Sequence, residues 1–231
     1  TLRPQVQFGL SSFLATIAGA LLWQIHPLMI GTLVAPAAVV SFFVGMRLPM
    51  LVSDMSWRTA EVAFPAVAGT SSGSKDPLHA SIALSTGMRW LTLLVVPLAV
   101  MGFILAPSIL DTWLLDVPEG AVTILRVGVA VMLLDAWAVA ALQVLWGLGK
   151  AGRIAIGMCA AAITAVVLNL ALLPRLGAVA APISMIAGLT ILAGLIFSEV
   201  KRCTGVSLSR LFRWDIASLL PAGVARAAGP C

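Results

Sequence analysis

Charge is what this sequence has least of. Asp, Glu, Lys and Arg together supply 10% of 231 residues, whereas an ordinary soluble domain carries about 25%. So few charged side chains cannot cover a water-facing surface of that size, and 61% of the residues are hydrophobic. Cysteine is also sparse. Cys159 falls inside an apolar run, while Cys203 and Cys231 lie beyond the last one. That scatter provides neither a disulfide framework nor metal-ligand spacing, and no cofactor or metal is expected. Sequence patterns for a phosphate-cradling loop, a zinc-binding His pair on a helix or a GxSxG elbow are missing too, which argues against an enzyme.

The sequence also lacks the basic start, short apolar run and small-residue cleavage site of a secretory leader. It begins at Thr1 and ends at Cys231 after a stretch with no clear terminus, so a piece of a longer reading frame is expected. The net charge of +5 does not point to nucleic acid, because the basic residues are dispersed over short polar breaks.

What is present is a series of apolar runs, each near the length a helix needs to cross about 30 Å of hydrocarbon. They predict an all-α membrane protein, a bundle of six transmembrane helices at about 8–30, 36–66, 86–107, 120–146, 153–173 and 178–200. The breaks carry turn chemistry: Gly31 to Pro36, Gly69 to Pro77, Asp111 to Gly120, Gly147 to Gly152 and Pro174 to Gly177. The six-helix unit is expected to occupy residues 1–205, leaving 206–231 as an interfacial tail or the start of a further span.

Orientation follows from the loops. Arg3, Lys75, Arg89, Lys150, Arg153, Lys201, Arg202, Arg210 and Arg213 share one side, and Arg175 lies on the other with Asp111, Asp116 and Glu119. Excess Lys and Arg marks the cytoplasmic side, so both ends are expected in the cytoplasm of a multi-pass inner-membrane protein whose surroundings are the lipid bilayer.

Ionisable side chains at membrane depth are costly and usually face a cavity or a partner. The second span has four, Arg47, Asp54, Arg58 and Glu61, at successive spacings of 7, 4 and 3. At about 100° per residue they share one helix face. Ion pairing along the helix is open to Asp54 with Arg58 and to Arg58 with Glu61. Arg47 lies deeper, has no acidic neighbour within four residues, and is a candidate anion-binding residue. The fourth span adds Arg126 near its outer end and Asp135 near mid-depth. Asp135 either pairs with an arginine of another helix, Arg47 being the candidate, or exchanges a proton during transport. Arg126 can reach the outer headgroups. His26, beside Gln24 and Pro27, reads as a hydrogen-bonded structural residue or a proton relay. Gln143 and Asn169 are expected to bond between helices, and Gly157, Ala161 and Ala165 to mark close helix packing.

The order of these features carries a resemblance. WQIHPLMIG is followed by VVSFFVGMRLPMLVSDMSWRTAEVAFPAVAG, then by GMRWLTLLVVPLAVMGFILAPSILDTWL. LQVLWGLGKAGR and VVLNLALLPRLGAVAAPISMIAG come later. The chain resembles the carboxy-terminal lobe of polysaccharide flippases in the multidrug/oligosaccharidyl-lipid/polysaccharide exporter superfamily. The resemblance implies one lobe of a two-lobe transporter working by alternating access, with a missing amino-terminal lobe as partner. Its cargo would be an oligosaccharide on a polyprenyl pyrophosphate, met by Arg47, Arg58 and Arg126. Asp54, Glu61, Asp135 and His26 would balance charge or couple an ion. The chain departs from many relatives in having Gln24 and His26 where an acidic residue closes the lobe's first helix, which puts cation coupling there in doubt. A multidrug exporter of the same superfamily and a non-transporting scaffold subunit are the alternatives.

Overall fold

The computed structural model describes residues 2–70 and 77–204, with side chains at 5–61 and 84–203. The linker at 71–76 and the expected tail at 206–231 lie outside the described residues. Among the described residues seven α-helices follow one another: α1 Leu2–Leu33, α2 Pro36–Thr70, α3 Pro77–Ile104, α4 Ala106–Trp113, α5 Ala121–Gly147, α6 Ala151–Leu176 and α7 Ala180–Thr204. Among the described residues there is no strand. Only helices and closed barrels satisfy every backbone N–H and C=O without water, so an all-helical chain is what hydrocarbon demands.

Among the described residues five helical stretches are long and apolar enough to span a membrane. The last, Ala151–Cys203, runs for 53 residues and contains both α6 and α7. The two are separated by a 3-10 turn at Gly177–Val179 and pack against each other. Six long helices therefore form the bundle. It is an all-α membrane protein.

The helix ends show local reasons. At the end of α5, Gly149 takes φ +70. The Lys150 amide donates to the Leu145 carbonyl at 2.9 Å and that of Gly149 to Trp146 at 3.0 Å. This double closure around a left-handed glycine satisfies carbonyls that the helix would leave open. Gly177, with φ +55, ends α6. Pro174 stays inside α6, so of the break expected from Pro174 to Gly177 the glycine is the residue at which the helix ends. The expected polar loop at 111–120 is shorter than its sequence suggested, because α4 reaches Trp113. Leu105 at φ -90 and ψ 9 interrupts the run, and a proline in the first turn of α4 restarts it.

α5 is the centre of the bundle, with α2, α3 and α7 packed on it, while α6 joins α1 to α7. Small residues permit the close approaches. A Cβ added at Gly45 would lie 2.7 Å from the Ala121 carbonyl, and one at Gly128 would lie 2.8 Å from Met46 and Pro49. Between α6 and α7, a Cβ at Gly188 would lie 2.7 Å from the Ala161 carbonyl and 3.1 Å from Ala165. The row Gly157, Ala161 and Ala165 is thus a packing seam. Large apolar side chains such as Phe13, Phe103, Ile163 and Val167 are exposed on the outside. So many exposed large apolar side chains suit lipid or a further protein surface.

Candidate functional site

The side of α2 that meets α5 is built from Phe42, Gly45, Met46, Pro49, Ser53 and Ser56, at helical spacing. That row fixes the rotation of the helix and turns the charged residues away from α5. Arg47, Asp54, Arg58 and Glu61 are all exposed on the lobe. The sequence offered two ion pairs, and one forms, with Arg58 Nη1 at 3.7 Å from Glu61 Oε2. With side chains 83% and 54% exposed, it is a surface contact of small energetic weight. Arg47 forms no ion pair with the described residues, and Asp54 turns towards a cavity.

Asp135 is 2% exposed on α5. Ser53 and Trp57 of α2 lie against its carboxyl, and Asp54 is the charge near enough to act on it. Its Oδ2 and the Ser53 Oγ each complete no hydrogen bond. The expected pair between Asp135 and Arg47 does not form. Six residues separate Arg47 from Ser53, which is about 240° of rotation and 9 Å of rise, so the two cannot face α5 together.

Arg126 and His26 are engaged in holding helices. Arg126 Nε donates to the Phe103 carbonyl at 3.4 Å, with its guanidinium 5.7 Å from the Phe103 ring centroid. A helical continuation would have satisfied that carbonyl from the amide at 107, which is proline and has none to give. Arg126 therefore caps the end of α3, in the place where a cation complements the helix dipole. His26 is fully buried in α1. Its Nε2 donates to the Leu22 carbonyl at 2.9 Å, and its Nδ1 accepts from Asn169 Nδ2 of α6 at 2.9 Å. Asn169 also approaches the Met29 sulfur at 3.5 Å. The interhelical bond expected of Asn169 is thus made to His26.

The cavity lies between α1 and α2 and has a volume of about 1000 Å³. Trp23, Gln24, Ser53, Asp54, Trp57 and Trp146 supply its polar and aromatic lining. Arg47, Arg58, Arg126 and His26 are not among the residues that line it. Sequence reasoning missed this cavity. Positions 23, 57 and 146 are far apart in the chain and no local pattern links them. A second missed feature is Glu199 of α7, whose carboxylate, 12% exposed, meets Arg153 of α6 at 3.6 Å and Arg202 at 3.7 Å.

The sequence pattern of the family described as "Polysaccharide biosynthesis protein" matches residues 1–116, half of the chain. The chain belongs to that family. No curated protein sequence matches this family member. Among solved structures, its fold is similar to a MOP superfamily transporter from Pyrococcus furiosus Vc1 (DSM3638), described for the reversed polarity of its binding pocket. The TM-score is 0.65 at 17% identity, over 96% of this chain and 51% of that one. The family member thus spans about half the length of that transporter.

Proposed function

We propose that this polysaccharide biosynthesis protein moves a polyprenyl-pyrophosphate-linked oligosaccharide across the cytoplasmic membrane by alternating access, as one lobe of a two-lobe flippase. The observation that carries the reading is the outward-facing Arg47 on a membrane-length helix, which forms no ion pair among the described residues. A cation so placed needs an anionic partner, which the described residues do not supply, and a pyrophosphate group would supply one. Arg58 extends the same face, while Asp54 and Glu61 keep its four charges balanced. Asp135, buried behind Ser53, exchanges a proton or balances charge in this reading. His26 and Arg126 position α1 and α3 around that face. The amino-terminal lobe supplies the other wall, both ends lie in the cytoplasm, and the lipid bilayer covers the apolar exterior.

The second reading, a multidrug exporter, draws on the cavity itself, which carries a carboxylate and three tryptophans without an arginine. Deletion of the gene in its host, complemented with the native gene or with Arg47→Ala, separates the two. The flippase reading expects the deletion to lose surface polysaccharide and Arg47→Ala to restore little of it at normal protein abundance. A deletion strain with unchanged surface polysaccharide would transfer the case to the exporter.

A further inference from the structure

We propose that the cavity between α1 and α2 is a carbohydrate-binding subsite, in which Trp23, Trp57 and Trp146 offer stacking faces to pyranose rings while Gln24 and Asp54 bond the hydroxyls. The assignment rests on the reading that the cargo is a lipid-linked oligosaccharide, and it goes further by separating the sugar from the phosphate.

A sugar ring has an apolar C–H face and a hydroxyl edge that both donates and accepts. A site for it needs flat apolar surface together with mixed donors and acceptors, the combination found in orienting ligand cavities. The three indoles provide the flat surface. Gln24 can donate and accept, and the exposed Asp54 carboxylate accepts. Ser53 also lines the cavity, but it is 3% exposed and lies against the Asp135 carboxyl, so it shapes the wall and does not meet the ligand. A further acceptor is the Trp23 carbonyl. Its helical donor would be the amide at 27, which is Pro27, and both residues line the cavity.

An organic cation is the competing occupant, since indoles and a carboxylate can also hold one. The charges around the cavity disfavour it. Arg47 and Arg58 offset Asp54 and Glu61 on the same face, so that face attracts neither sign at long range. Asp54 lies seven residues from Arg47, about 10 Å along the helix. Phosphate on Arg47 and sugar in the cavity would therefore occupy neighbouring positions of one cargo.

The test uses the full gene product purified in nanodiscs, with two probes. One is the phosphate-free oligosaccharide released by hydrolysis from the host's own surface polysaccharide, and the other is tetraphenylphosphonium. Binding is followed by calorimetry. The native protein should bind the oligosaccharide, and Trp23→Ala and Trp57→Ala should each weaken it about tenfold, the scale of one lost aromatic contact. Trp23→Phe, which keeps a ring and guards against misfolding, should lose less. Trp90→Ala, on exposed α3, should match the native protein. Oligosaccharide binding indifferent to all the cavity variants, or tetraphenylphosphonium binding with no oligosaccharide binding, would overturn the subsite. If the deletion strain still lacks surface polysaccharide in that case, the transport reading survives without this site. If its polysaccharide is intact, the transport reading itself has failed.

Discussion

α5 and α2 are both membrane-length helices with ionisable residues at depth, yet they treat those residues in opposite ways. In α5, 67% of the most apolar stretch is buried, against 33% in α2. Three helices pack on α5, and its Asp135 is hidden against α2. α2 turns its small residues to α5 and its four charges outward. The contrast teaches that α5 is a scaffold, whereas α2 carries one face for the lobe and one for something beyond it. Substitution on the two faces should therefore separate stability from transport.

The largest stability loss is expected at the seam. Gly45→Val places a side chain where even a Cβ would lie 2.6 Å from Ile124 and 2.7 Å from a backbone carbonyl. Overpacking of this kind costs about 3 kcal/mol, read as a lower melting temperature in detergent. An unchanged melt would mean that α2 and α5 do not meet there. Next comes the link between α1 and α6. Asn169→Leu leaves His26 Nδ1 buried without its donor and should cost about 1–2 kcal/mol by the same measurement. Arg153→Ala, removing a half-exposed contact to Glu199, should cost about 0.5 kcal/mol. The smallest change in melting is expected for Arg47→Ala, under about 0.5 kcal/mol, because its side chain is exposed and forms no ion pair among the described residues. That last variant sharpens the comparison most, since the least structural of the four should be the most damaging to surface polysaccharide.

Much of this architecture is legible in the sequence. Apolar runs and Gly-Pro breaks locate the long helices because hydrocarbon thickness sets their length. The four charges of α2 declare a shared face through spacing alone. What spacing cannot give is the direction of that face. Direction is set by the row through Gly45, Pro49 and Ser53, which fits against Gly128 and its neighbours on a helix some eighty residues later. Hence the pairing expected between Arg47 and Asp135 does not form. Arg126 was equally ambiguous, since its partner is a carbonyl orphaned by Pro107 and that bond crosses from α5 to α3. The tryptophan cavity is a product of tertiary packing, assembled from four helices with no local signature.

The account turns on whether the outward face of α2 looks onto a water-filled pathway or onto lipid. The direct measurement is thiol accessibility in intact membranes, using the full gene product with Cys159, Cys203 and Cys231 replaced by Ser. Single cysteines are introduced as Arg47→Cys and Asp54→Cys, with Ile163→Cys on the exposed apolar face of α6 as the lipid control. A charged, water-soluble thiol reagent is predicted to modify positions 47 and 54 and to leave 163 unlabelled. Labelling at 47 and 54 as low as at 163 would contradict the account, because it would place Arg47 against lipid or protein instead of a cargo path.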